Sequence, residues 1–101
     1  MSVSTHVLDL GSGLPAAGIA VRLEKDGRVI GEGVTDGNGR IMALAAGSLD
    51  TGVYRIVFDT AAHGNVFYPE VSISFVIDEA SDHYHVPLLL SGHGYTTYRG
   101  S

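Results

Sequence analysis

Imidazole exchanges protons more readily near neutral pH than any other side chain, with an ordinary pKa of about 6.5. This chain carries five: His6, His63, His83, His85 and His93. His83 and His85 stand two apart in HYHVPLLLSGHGYTTYRGS, residues 83–101, and on a strand that spacing points both rings the same way. His6 shares a strand face with Leu8 in STHVLD. Core-facing neighbours flank His6 and His85, which puts these rings on the outer surface of a sheet, where they can serve as general acids or bases. Arg40 follows Asp36-Gly37-Asn38-Gly39, a tight turn that can hold a guanidinium as a clamp for an anion or a carbonyl. The plainer reading of Arg40 is a salt bridge at the start of a strand. His63 and His93 read as surface residues without a role.

Other chemistries fit less well. His6, His83 and His85 could supply three nitrogen ligands to a zinc ion, but His-x-His is a weak pattern and no acid is placed to complete it, so no metal is expected. Asp9 is the only acid close to His6 in sequence, and no Gly-x-Ser-x-Gly occurs, which leaves a nucleophilic triad unsupported. There are no cysteines, so thiolate catalysis and disulfides are excluded.

The elements that must position these residues are short strands. Period-two alternation marks 3–10, with Val3, Thr5, Val7 and Asp9 facing away from His6, Leu8 and Leu10, and then 19–25, 28–35, 40–44, 53–60 and 70–78. Asp26-Gly27 signals a hairpin. Residues 61–68 are irregular, with at most one helical turn, and 78–82 form an acidic turn. Residues 83–90 place Tyr84, Val86, Leu88 and Leu90 on a core face; a break at 91–94 leads to a last polar strand that packing alone does not explain. Strands with turns every eight to twelve residues and no convincing helix predict one all-β sandwich domain over 1–101.

Composition sets the outer bounds. Hydrophobic residues make up 45% and charged residues 17%, too apolar for a disordered chain and more than a small monomer readily buries, which hints at self-association. A net charge of −5 with no basic cluster argues against nucleic acid. No signal-peptide pattern and no apolar run of membrane-spanning length occur. The expectation is a soluble cytoplasmic protein with neither nucleic-acid nor membrane partners.

Ser4-Thr5-His6-Val7-Leu8-Asp9, Asp36-Gly37-Asn38-Gly39-Arg40, His83-Tyr84-His85-Val86-Pro87-Leu88-Leu89-Leu90-Ser91 and the terminal Tyr98-Arg99-Gly100-Ser101 together resemble the transthyretin-related 5-hydroxyisourate hydrolases over nearly the whole chain. The final tetrapeptide with the HYHVPLLLS stretch is the specific part, since transthyretin carriers lack both that tetrapeptide and the histidines. The resemblance implies a transthyretin-like sandwich of seven to eight strands. It also implies a homotetramer, a dimer of dimers, with active sites in a channel between facing sheets. It places the catalytic set on His6, Arg40, His85 and Ser101 and the substrate-binding set on Tyr98, Arg99, Gly100 and His83. The implied reaction hydrolyses a ring amide of 5-hydroxyisourate to 2-oxo-4-hydroxy-4-carboxy-5-ureidoimidazoline, with no cofactor. One imidazole, His6 or His85, would deprotonate water and the other would position substrate or return the proton, while Arg40 would stabilise the oxyanion.

Two departures from the family pattern stand out. Gly92-His93 replaces the usual proline and aromatic, which is expected to loosen the last turn, and residues 61–68 are short, which is expected to truncate or remove a helix. The alternative reading is a non-catalytic transthyretin-like carrier that binds a small aromatic ligand in the same channel.

Overall fold

The computed structural model describes residues 2–45, 47, 49–80 and 82–101. Parts of the predicted loops at 45–51 and 78–82 therefore lie outside the described residues. Ten strand segments run in the order β1 (Ser2–Asp9), β2 (Leu14–Pro15), β3 (Ala20–Lys25), β4 (Arg28–Val34), β5 (Arg40–Ile41), β6 (Gly52–Phe58), β7 (Val71–Ile77), β8 (His83–His85), β9 (Leu88–Leu90) and β10 (Tyr95–Thr97). β2 and β5 are two-residue ladders, and β8 and β9 are one strand interrupted at Val86-Pro87, so seven full strands remain. The helical content of the described residues is one 3₁₀ turn, Ala61–His63, in keeping with the shortened segment. No helix among the described residues is long and apolar enough to cross a membrane.

Two sheets form the sandwich. β4-β3-β6-β7 is an antiparallel four-stranded sheet in which two hairpin-like pairs, β3 with β4 and β6 with β7, join through β3 and β6. The other sheet is built on β1, which has β5 and β2 along one edge and β8 and β9 along the other, with β10 beyond β9. Alternation decides what lies between the sheets. Val3 and Val7 from β1, Tyr84, Leu88 and Leu90 from the penultimate strand, and Leu23, Ile56, Phe58 and Ile77 from the opposing sheet are all essentially inaccessible. The alternate residues of β1, among them Ser4 and His6, thereby point to the outer side.

The parallel pairing of β1 with β8 and β9 keeps one register throughout: Ser2 faces His83, Ser4 faces His85, and Val7 faces Leu88. Pro87 breaks the ladder because it has no N–H to donate, yet the register carries on past it. Threonines repair the break, as Thr5 Oγ1 donates to the Val86 carbonyl (2.6 Å) and Thr97 Oγ1 to the Pro87 carbonyl (2.8 Å). Tyr84, buried on the core side, orders the turn before its own strand. Its hydroxyl accepts from the N–H groups of Asp78 and Glu79 and donates to Asp78 Oδ1.

Two expected elements are shorter than predicted. The strand read as 40–44 ends at Ile41, since Leu44 turns inward and donates its N–H to the Val3 carbonyl. The last strand ends at Thr97, after which the chain returns to β8 through a single bridge, His85 with Gly100. The turn at Gly92-His93 is closed rather than slack: the Gly94 carbonyl accepts from both N–H and Oγ of Ser91, and Asn65 Nδ2 donates to the Ser91 carbonyl.

Candidate active site

Four neighbouring segments, β5, β1, β8 and the tail, contribute to a row across the outer face of the β1-centred sheet. Arg40 on β5 pairs directly opposite His6 on β1; Ser4, two residues back, pairs with His85 on β8; and His85 bridges to Gly100.

The turn that carries Arg40 is welded to β1. Asp36 Oδ1 accepts from the N–H groups of Asn38 and Arg40 at 2.8 and 3.0 Å. Those two bonds, with the Arg40 and His6 charges nearby, lower the Asp36 carboxyl below its usual range. Gly39 has φ +74° and lies so close to β1 that a Cβ there would stand 2.4 Å from the Val7 carbonyl oxygen, a place only glycine fits. Its own carbonyl accepts from Val7 N–H at 2.8 Å. This contact brings the Asn38 carbonyl to His6, whose Nε2–H donates to it at 2.8 Å. A neutral imidazole has one N–H and one lone pair, so fixing the hydrogen on Nε2 leaves His6 Nδ1 as an acceptor.

His85 is held from both sides. Its Nδ1 lies 2.7 Å from Ser4 Oγ, which is also 2.9 Å from His83 Nε2; His83 Nδ1 lies 2.6 Å from Ser2 Oγ. On the other side the backbone of Gly100 rests against the ring, and a Cβ at that position would be 2.3 Å from His85 Cδ2. Gly100 N–H donates to the His85 carbonyl at 2.8 Å. Burial, followed by the positive charge of Arg40, His83 and His6, pushes the His85 imidazole below its ordinary pKa.

The other residues singled out by sequence fall in different places. Tyr98 is exposed and, with His85 and Phe75, lines a hollow of about 240 Å³ between β7 and the tail. Ser101 is exposed at the end of the tail beside Gly100. The Arg99 guanidinium lies 4.6 Å from the centroid of the Tyr84 ring, a cation–π contact that pins the tail. His63 has a partner that was not foreseen, since its Nε2 meets Asp9 Oδ2 at 2.9 Å. Asp9 thus serves His63 and not His6, because residues three apart on a strand face opposite sides. Among the described residues no group of three or more His, Asp or Glu is arranged to hold a metal ion. Ser2, Ser4 and Asn38 were missed by sequence; the signal for the serines was the period-two row Ser2, Ser4, His6 lying against His83 and His85.

A β-sandwich whose outer face carries this histidine and arginine row belongs to the HIUase/transthyretin family, whose family model matches residues 3–100. Among its relatives is the 5-hydroxyisourate hydrolase of Salmonella dublin, 43% identical over 109 residues, covering 98% of this chain and 80% of that one. The structure of Klebsiella pneumoniae 5-hydroxyisourate hydrolase superposes with a TM-score of 0.89 at 36% identity over the full length of both chains. Sea bream transthyretin in complex with thyroxine superposes nearly as well, with a TM-score of 0.87 at 33% identity, covering 99% of this chain and 95% of that one. The fold is therefore common to a hydrolase and to a protein seen in complex with thyroxine.

Proposed function

We propose that this chain is a 5-hydroxyisourate hydrolase that opens a ring amide of its substrate by water attack. The observation that carries this reading is the row Arg40–His6–His85 on adjacent strands, with His6 Nδ1 left as an acceptor that has no hydrogen-bond partner among the described residues; passive binding requires no such arrangement. The names of the Salmonella and Klebsiella relatives support the substrate.

In this mechanism His6 Nδ1 takes a proton from water as it attacks the ring carbonyl and gives it up to solvent as the product leaves. Arg40 binds the oxygen on which negative charge develops. His85 presents Nε2, which has no protein partner among the described residues, to the departing ring nitrogen. Tyr98, Gly100 and Ser101 form the rim that orients the flat heterocycle, and His83 and Arg99 hold that rim in place. The proposal includes a cytoplasmic homotetramer, a dimer of dimers in which the outer faces of the β1-centred sheets enclose the sites. The exposed apolar side chains Leu10, Leu14, Phe67 and Tyr95 support association, since burying such surface stabilises contact.

The test follows the ultraviolet decay of 5-hydroxyisourate freshly generated by urate oxidase. The protein accelerates it; His6→Ala lowers the enzymatic rate by roughly 10²–10⁴-fold and Arg40→Ala by about 10²–10³-fold. A folded protein that leaves the decay unchanged would favour the carrier reading.

A further inference from the structure

A neutral imidazole is a poor acid at Nε2 unless another proton arrives at Nδ1 as the first one leaves. His85 faces that difficulty, because burial first, and then Arg40 from β5, His83 from its own strand and His6 from β1, disfavour its charged form. The Asp36 carboxylate lies near the Arg40 and His6 charges. The tail contributes Gly100 backbone and an Arg99 turned toward Tyr84. Ser4 reaches the His85 ring with its backbone and, at Nδ1, with its hydroxyl, which is itself 95% buried and joined to a second imidazole.

We propose that Ser4 is a positioning residue that couples His85 to His83, so that Ser2, His83, Ser4 and His85 form a proton-conducting chain from the sheet's outer rim to the reacting atoms. The proposal rests on the hydrolase reading for its substrate, but its geometry stands on the hydrogen bonds alone.

A serine hydroxyl has one hydrogen to donate and lone pairs to accept with. With both imidazoles neutral and the Ser4 hydrogen donated within the chain, two arrangements remain. In the first, Ser2 donates to His83 Nδ1, His83 Nε2–H donates to Ser4, and Ser4 donates to His85 Nδ1, leaving His85 Nε2–H facing the site. In the second every bond is reversed, and Nε2 faces the site as a lone pair. When Nε2–H passes its proton to the departing ring nitrogen, the Ser4 proton moves to Nδ1. The His83 Nε2 proton replaces it, the Ser2 proton moves to His83 Nδ1, and solvent reprotonates Ser2. Each residue ends neutral, and one N–H bond breaks at Nε2 as one forms at Nδ1. The reset takes a proton from water at Nε2 and returns one to solvent at Ser2. Ser2 and His83 are well placed for that exchange, being half-exposed and exposed respectively.

The experiment uses the full chain labelled with ¹⁵N in histidine, whose ring-nitrogen shifts report the tautomer of each imidazole. With Ser4 present, His83→Ala changes the Nδ1-to-Nε2 proton ratio of His85; in the Ser4→Ala background the same substitution leaves it unchanged. In parallel, Ser4→Ala lowers kcat by about ten- to a hundredfold with KM within about threefold, and Ser4→Thr restores it. The rate in mixed light and heavy water curves with deuterium content in the parent protein and becomes linear in Ser4→Ala. Tautomers of His85 that ignore His83 in the parent protein overturn the proposal, as does a loss confined to KM. His83→Ala, at an exposed position, keeps the test decisive if Ser4→Ala does not fold. If the parent protein is inactive toward 5-hydroxyisourate, the hydrolase reading fails while the ¹⁵N arm still decides the chain.

Discussion

Replacing Gly100 with alanine separates positioning from folding in this site. Gly100 is not among the glycines with left-handed φ, so the backbone accepts alanine and the effect comes from contact alone. The added Cβ would lie 2.3 Å from His85 Cδ2 and 3.0 Å from Cγ, against 3.4–4 Å for ordinary contact, so one partner must yield by about 1 Å. The His85 ring cannot turn aside without losing Ser4 at Nδ1. The tail is the softer partner, and its retreat forfeits the Gly100 N–H bond to the His85 carbonyl, worth about 1 kcal/mol. A misplacement of about 1 Å at a reacting group costs on the order of 10²-fold in rate. The expected result is therefore a loss of about 10²-fold in kcat/KM toward 5-hydroxyisourate, with Tm lower by about 4–8 °C. Gly92→Ala is the control, because a Cβ there meets nothing within 4 Å, and it leaves both quantities unchanged. A Gly100→Ala protein with kcat/KM within about threefold of the parent would refute the reasoning, because the ring would not need its place against the tail.

The depressed pKa of His85 carries a sign that can be checked by NMR titration. Burial and then Arg40 disfavour the imidazolium in the folded state, so the unfolded chain binds the proton first. This site's contribution to stability is intact above about pH 6.5 and is lost as the pH falls from there through the folded-state value. Arg40→Ala moves the His85 midpoint upward, while burial continues to hold it down; no movement would remove Arg40 from the site's electrostatics. Tyr84→Phe leaves the N–H groups of Asp78 and Glu79 without their hydroxyl acceptor while keeping the ring under Arg99. It is expected to cost about 1–3 kcal/mol by denaturant unfolding with activity at 25 °C retained.

Alternation was enough to read the strands and to assign their faces. Tyr84, Val86, Leu88 and Leu90 are buried as expected, and His6 and His85 point the other way. Pairing was beyond it. That His6 sits opposite Arg40, and Ser4 opposite His85, depends on the registers β1 adopts with β5 and β8. Those registers are set by core contacts between segments far apart in sequence, and a one-residue slip would turn each partner to the wrong side. The serines escaped notice for the same reason, because Ser2 and Ser4 acquire meaning only once β8 lies beside them. Asp9 reads as facing away from His6, and that face brings it to His63, a residue read as having no role. Arg99 shows the reverse case: a charged residue in a polar tail read as facing substrate, while its guanidinium covers an aromatic ring that belongs to the core.

The parallel pairing of β1 with β8 joins residues 81 apart in the chain, as in the Ser4–His85 bond. Closing so long a loop costs entropy that only late, cooperative contacts repay, whereas β3, β4, β6 and β7 meet mainly through neighbours in sequence order. On topological grounds the β4-β3-β6-β7 sheet can assemble while the histidines are still strangers to one another. A partly folded or nicked molecule can then keep most of its β-structure and have no site at all. The row of imidazoles acts as the clasp of the fold, and its chemistry reports that the two ends of the chain have met.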